Sequence, residues 1–377
     1  MKKKLDIIWN ITLVCPWDCE FCCTDAVHVS EKFGEIIARE HSLSSKKLVD
    51  QNLAINFKKK YPNIKPTIFD IALLDRQNNG LELSLEEKLN TLKNLEGYNV
   101  SIDFAGGDPL SCYENYLVIE AASKIFGKEN ISITSTGYFV KKYGVENLAK
   151  IIGEYEFTYD EIHSKNPCTR PKGYNSSNIK IAEKFSELGV KTKAQLPLHS
   201  GNIEQNNISF IYKELNDRKI DELLIMRTFP VGRGIKYLEK NSLNKEDIYK
   251  AINGFMVAEK TGKTNIRLQC ALKHLFSPKI DENPCDMMHE SFGINFRGEL
   301  LLSAWANNEK GLPLSDAFVL GSISDTSFYE ISQTKNFIEL EKRMDENFGH
   351  CKIFSYMASD KDRESLFKKS DPLYIQV

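Results

Sequence analysis

The chain opens with MKKKLDIIWNITLVC, an apolar run behind three lysines. Asp6, Asn10 and Thr12 interrupt that run, and Leu13 and Val14, not small residues, precede Cys15. The pattern predicts a β-strand over roughly residues 5–14 rather than a cleaved signal peptide. Further runs at NVSIDFAGGDPL, ISITSTGY, EYEFTYDEIHS, GVKTKAQLPL and DELLIMRTFP are also read as strands. Helical stretches separate them. One starts at Ser84, where Glu87 completes a capping box; others cover residues 114–126, NIKIAEKFSELG and QNNISFIYKELND.

Strands alternating with helices predict parallel βα units. Six such strands fit a partial barrel, and periodicity alone fits an open doubly wound sheet equally well. Residues 28–82 carry the lysine run 58–60, Pro62, Pro66 and an RQNNG turn, and read as an insertion or elaborated connection within a first domain spanning 1–240. After about residue 240 the alternation fades. A helix near 245–260, strand-like SFGINF and ELLLSA, and a helix near 328–345 predict a smaller α+β domain over 241–377. The fold class expected is therefore α/β, a partial (β/α)6 TIM-type barrel with a smaller α+β C-terminal domain.

Composition narrows the function classes. The 377 residues are 41% hydrophobic and 27% charged, as in a globular protein with a sizeable core. Fifty basic against 52 acidic residues leave a net charge of −2, so no basic field draws the chain to nucleic acid or an anionic membrane. No stretch reaches 18 apolar residues, so no membrane span is expected, and the expected location is cytoplasmic. Nine cysteines, an odd number and mostly isolated, fit free thiols and metal ligands better than a disulfide framework.

Four of those cysteines fall in VCPWDCEFCC, residues 14–23. Thiolates in a short loop hold zinc or an iron–sulfur cluster. Structural zinc usually takes two C-x2-C pairs, whereas this loop has one, Cys19 and Cys22, with Cys15 four residues upstream. Cys23 adjoins Cys22, and adjacent residues rarely ligate one ion without backbone strain. Three thiolates on a four-iron cube leave one iron open for chemistry.

This C-x3-C-x2-C pattern, with Phe21 before its last cysteine and a strand before its first, resembles the signature of the radical S-adenosylmethionine superfamily. The resemblance implies a [4Fe-4S] cluster on Cys15, Cys19 and Cys22, with S-adenosylmethionine (SAM) chelated at the open iron. It further implies reductive cleavage of SAM to methionine and a 5'-deoxyadenosyl radical that takes a hydrogen atom from the substrate. AGGDPL, residues 105–110, stands where the family binds the methionine amino group, which makes Gly106, Gly107 and Asp108 cofactor candidates. Glycine suits that place because it lets backbone approach a ligand closely. SITSTG puts Ser135 and Thr136 near the cofactor, and FTYDEIHSKNPCTR supplies Thr158, Asp160 and Arg170. Arg170 is the candidate for the cofactor carboxylate, because a guanidinium forks onto a carboxylate. KTKAQLPLHSGN points Gln195 into the barrel with Asn202 in the following loop, and MRTFPVGRG, 226–234, resembles the motif bordering the adenine, through Val231.

The C-terminal region resembles a degenerate SPASM or twitch domain. Cys285 leads to FGINFRGELLLSAW, in which Gly298 is correctly spaced but Ser303 replaces a cysteine; LGSISDTSFYEI follows, and Cys351 falls where further cysteines belong. Either Cys270, Cys285 and Cys351 hold a second Fe-S cluster, or they are ordinary buried thiols. Ser303 ligates iron poorly, and His289 is a lone histidine.

The reaction implied is modification of a ribosomally made peptide: cross-linking, thioether formation or epimerisation. The alternative is a small-molecule metabolite, sugar or nucleoside in a biosynthetic pathway. For an epimerase, Cys168 is the first candidate for the thiol hydrogen donor, with Cys23 and Cys112 behind it. The first strand lies near residue 1, so a separate protein or residues 28–82 are expected to recognise a peptide leader. An electron donor such as flavodoxin or ferredoxin is implied.

Overall fold

The computed structural model describes residues 3–40, 45–160, 170, 173–276 and 283–375. Its strands, in chain order, are Lys4–Thr12 (β1), Val14–Cys15 (β2), Val27–Lys32 (β3), Glu35–Glu40 (β4), Ser45–Leu48 (β5), Asn99–Gly106 (β6) and Ile131–Thr134 (β7). Glu154–Thr158 (β8), Lys191–Leu198 (β9), Glu222–Arg227 (β10), Asn265–Leu268 (β11), Ser291–Ile294 (β12), Glu299–Leu301 (β13) and Val319–Ser322 (β14) follow. One sheet runs β11-β10-β9-β8-β7-β6-β1-β12-β13-β14, and a second runs β2-β3-β4-β5.

In the large sheet the pairings from β11 through β1 to β12 are all parallel. The six expected strands lie at its centre. Two more, β11 and β12, extend it on opposite edges, and β13 and β14 continue it as an antiparallel meander. Residues of β11, of β12 and of the strands between them line one cavity, so the parallel part of the sheet curls around it as a partial barrel.

Alternation along the strands separates an outer apolar face from an inner one. In β8, Tyr155 and Phe157 are fully buried, and Tyr155 stacks on Phe185 of the helix Tyr174–Glu187, 4.5 Å between ring centroids. Glu154, Glu156 and Thr158, at the intervening positions, line the cavity. The Ser84 capping box is present at the start of the helix Leu85–Lys93. The single helix expected near 328–345 is instead two, Phe328–Ser332 and Lys335–Arg343, because the Thr334 hydroxyl accepts from the Phe337 amide and starts a new helix.

Residues 28–82 hold most of the second sheet and the helices Leu53–Lys60 and Ile68–Asn78. The far end of this segment reaches back to the strand before the cysteine loop. The buried Glu82 carboxylate accepts from the Thr12 hydroxyl at 2.7 Å, the Leu13 amide at 3.0 Å and Arg76 at 2.6 Å. The residues leading into Cys15 are thereby fixed from outside the barrel.

From inside they are fixed by the glycine turn. The Gly107 amide donates to the Thr12 carbonyl at 2.7 Å, and the Asp108 amide to that of Val14 at 2.9 Å. A Cβ on Gly107 would stand 2.3 Å from the Val14 oxygen, and one on Gly106 as close to the Thr12 oxygen. Gly107→Ala must push the facing backbones apart, so it is expected to cost about 1–3 kcal/mol, as overpacking does. Urea denaturation of the variant beside wild type checks this.

Candidate active site

The cavity, about 610 Å³, is lined at one end by the cysteine loop and continues down the barrel interior. The loop sits at the C-terminal ends of the strands, where parallel barrels place their chemistry. Cys15, Cys19 and Cys22 all line it, as do Gly106, Gly107, Ser135, Thr136, Arg170 and Gln195. Asp108, Asp160 and Val231 are buried beside it but do not face it.

The three thiols occupy different electrostatic settings. Burial pushes Cys15 well above the usual thiol value, and neighbouring Cys19 and Asp108 add to that. Burial also raises Cys19, against the pull of Arg170. At Cys22 burial acts in the same direction but is outweighed by Arg233, by the Thr24 hydroxyl at 3.4 Å and by the Ala26 amide at 3.4 Å, so its thiol lies below the ordinary value.

Both arginines are locked in place. Arg170 donates to Asp160 at 2.7 Å and reaches the Cys19 sulfur at 3.5 Å, while Phe21 and Tyr174 flank its guanidinium with ring centroids 4.9 Å away. Asp160 is in turn held by Asn175. Arg233 donates to Asp18 at 2.8 Å and faces Asp25 at 3.4 Å, and its amide donates to the Cys22 carbonyl at 2.9 Å. In the VGRG stretch, Val231 is a fully buried core residue, and its neighbours Gly232 and Arg233 make the contact with the cysteine loop. Sequence reasoning passed over Arg233, although it stands inside the MRTFPVGRG motif.

Asp108 turns away from the cavity. Its fully buried carboxylate accepts from the Leu110 amide at 2.9 Å, the Thr136 amide at 3.1 Å, the Thr136 hydroxyl and the Ser135 hydroxyl at 3.3 Å. It clasps the end of β6 to the end of β7, and the Ser135 and Thr136 hydroxyls serve that clasp. Asn202 likewise closes its own loop, donating to the Pro197 carbonyl and accepting from the His199 amide.

Among the described residues no three His, Cys, Asp or Glu side chains converge as they do around a single metal ion. The donor set of three cysteines with two fixed guanidiniums fits an anionic iron–sulfur cluster.

The other cysteines divide. Cys270, Cys285 and Cys351 line the same cavity. Cys270 is hydrogen-bonded to Cys285, which lowers Cys285 to about 6 and raises Cys270, while burial pushes Cys351 up to about 12. Ser303 lines the cavity too, whereas His289 is partly exposed opposite Asp345, 3.8 Å away. Cys23 faces the cavity and is pushed up to about 12 by burial and by Cys22. Cys112 is fully buried in the core, hydrogen-bonded to the Phe69 carbonyl at 3.3 Å and off the cavity wall. Cys168 lies outside the described residues.

No protein-family model matches the chain, and no curated protein matches it by sequence. Solved structures do. SuiB of Streptococcus suis bound to its precursor peptide SuiA matches with a TM-score of 0.56 at 14% identity, over 90% of this chain and 66% of SuiB. SuiB bound to S-adenosylmethionine matches with a TM-score of 0.56 at 13% identity, over 89% of this chain and 64% of SuiB. The chain has the SuiB fold. It spans just under two thirds of the SuiB chain's length, and it has the partial barrel implied by the resemblance to the radical SAM superfamily.

In this fold the barrel interior is unusually polar. Ordinary parallel barrels fill it with branched apolar side chains. Here Asp103 accepts from the Thr134 hydroxyl at 2.9 Å, Lys193 donates to Glu156 at 2.8 Å and to Glu154, and Gln195 donates to Glu156 at 2.8 Å. Gln195 was expected inside; Asp103, Glu154, Glu156 and Lys193 were missed, although EYEFT and KTKAQ alternate with period two. Burial pushes Glu156 up to about 8, reinforced by Asp103 and only partly offset by Lys193, and pushes Asp103 up to about 6.

A carboxyl whose folded-state value is raised binds its proton more tightly when folded. Its stabilising contribution is therefore complete below about 4.5 and is lost as pH rises towards about 8. Glu156→Gln removes that loss. Urea denaturation at pH 6 and pH 8 is expected to show a smaller drop in stability for the variant than for wild type.

Proposed function

We propose that this chain is a radical SAM enzyme, with Cys15, Cys19 and Cys22 as the ligands of a [4Fe-4S] cluster and SAM bound in the cavity beside it. The observation that carries the reading is that these three thiols line one cavity with two fixed guanidiniums, Arg170 and Arg233, at the C-terminal mouth of a SuiB-like barrel. When bound, the cluster supplies the electron that cleaves SAM to methionine and a 5'-deoxyadenosyl radical.

The chain's own residues prepare that chemistry. Arg170 and Arg233 offset the negative charge of thiolates held out of water, where unpaired charge is costly. Asp160, Asp18 and Asp25 hold the guanidiniums in place. Gly106 and Gly107 line the cavity, and theirs is the backbone we assign to the SAM ammonium. Arg170 is the group we assign to the SAM carboxylate. The barrel walls then enclose the substrate and keep water from a reactive intermediate.

The substrate we favour is a ribosomally made peptide, supported by the likeness to SuiB, which has been solved bound to the precursor peptide SuiA. A cavity of about 610 Å³ also lies in the range of small-molecule sites, which is the second reading. The electron comes from an external donor of the flavodoxin or ferredoxin kind, and the odd number of mostly isolated cysteines supports a reducing cytoplasm. Among the described residues no helix is long and apolar enough to cross a membrane.

Anaerobic protein reconstituted with iron and sulfide, then given SAM and dithionite, is expected to release 5'-deoxyadenosine and methionine, measured by liquid chromatography. Cys19→Ser is expected to lose at least 100-fold of that release. A wild-type protein that carries its cluster and yields no 5'-deoxyadenosine contradicts the reading.

A further inference from the structure

The middle layer of the barrel carries more negative than positive charge, and strand register shows how it is built. Thr134, Glu156 and Lys193 lie level across β7, β8 and β9, and Asp103 reaches Thr134 from β6. Asp103, Glu154, Glu156, Lys193 and Gln195 all face the cavity. Three carboxylates thus face the cavity with one ammonium, and Glu154 is also bridged to Lys191 at 3.1 Å. The Lys193 ammonium contacts Glu154 and Glu156, while Asp103 is hydrogen-bonded by the Thr134 hydroxyl.

Charged groups are kept inside a fold only where they are paired or coordinated. Here, among the described residues, Asp103 is hydrogen-bonded but joins no ion pair, and Glu156 shares its lysine with Glu154, in the region of the molecule that is open to a ligand. The other charged groups near the layer are already paired. Glu222, level with Lys193 on β10, adds another carboxylate, bridged to Lys191 at 3.7 Å and to Arg267 at 3.6 Å, and Asp6 is held by Lys4 at 2.7 Å. Arg170 and Arg233 belong to the cysteine loop. Asp103 lies three residues before Gly106 on one strand, which puts the layer about 10 Å below the mouth. A ligand standing on it presents its upper atoms to the cofactor end of the cavity.

We propose that this layer is the floor of the substrate site, and that it selects a substrate bearing a primary ammonium on a flexible apolar stem, of the lysine side-chain type. The ammonium completes the charge pairing of Asp103 and Glu156, while the stem stands in the barrel towards the cysteine loop. Acidic or phosphorylated groups are rejected by the same carboxylates. This rests on the reading of the cavity as a substrate site, and it adds the chemical class.

The test is calorimetric binding to the reconstituted full-length protein, with three probes: Nα-acetyl-lysine N-methylamide, the norleucine counterpart and the glutamate counterpart. The lysine probe is expected to bind at least tenfold tighter than norleucine, with glutamate weakest. Asp103→Asn/Glu156→Gln is expected to abolish the preference. Lys193→Met, which removes the competing ammonium, is expected to retain or strengthen it. Circular dichroism and thermal midpoints confirm that each variant is folded. Absence of lysine-probe binding, equal binding of norleucine, or an undiminished preference in the folded double variant overturns the proposal. Binding is read without SAM cleavage, so a failure here leaves the radical reading standing. Conversely, a lysine preference without 5'-deoxyadenosine formation counts against that reading alone.

Discussion

The mouth of the barrel depends on one seam, where residues 12–14 meet the turn Gly106–Asp108. Two backbone hydrogen bonds close it, and the approach is so tight that neither glycine has room for a β-carbon. Glu82 grips the same residues from outside through the Thr12 hydroxyl and the Leu13 amide. Asp108 carries the seam across to β7 through Ser135 and Thr136. The cysteine loop therefore leaves a strand end whose position is fixed on both sides. The segment 28–82 has a structural duty in this, since Glu82 belongs to it.

The second constraint is charge. Burial holds the Cys15 and Cys19 thiols above the ordinary value and is outweighed only at Cys22, and the chain counters it with guanidiniums placed by their own acidic partners. Arg170 reaches Cys19 because Asp160 and two aromatic rings hold it. Arg233 reaches Cys22 because Gly232 lets its segment lie against the loop backbone. Deeper in the barrel the balance reverses, with carboxylates in excess around Lys193. One cavity thus has a cation-lined mouth and an anion-lined floor, which gives an elongated substrate a preferred direction.

Much of this was legible in the sequence, and the exceptions have physical causes. The six central strands and the Ser84 helix were readable because β-branched runs and a capping box are local signals. The edge strand β11 was not, because Asn-Ile-Arg-Leu is short and only half-buried. Nor was the joining of β12 to β1, since pairing between residues 6 and 291 leaves no local trace. Cys15, Cys19 and Cys22 were picked out by their spacing, and the structure lines one cavity with all three. Gly106 and Gly107 were picked out for close approach to a ligand, while the approach seen in the structure is to the chain's own backbone. The polar floor was readable in principle. Once β8 is known to pack Tyr155 and Phe157 outward, Glu154 and Glu156 have only the interior to face.

The central claim is that the loop of Cys15, Cys19 and Cys22 holds an iron–sulfur cluster. Iron and sulfide content with EPR of the anaerobically reconstituted, dithionite-reduced protein tests it most directly, wild type beside Cys15→Ala/Cys19→Ala/Cys22→Ala. The account predicts about four irons and a reduced-cluster signal in wild type, and neither in the triple variant. A triple variant that keeps its iron and its signal would contradict it, and would move the cluster to Cys270, Cys285 and Cys351.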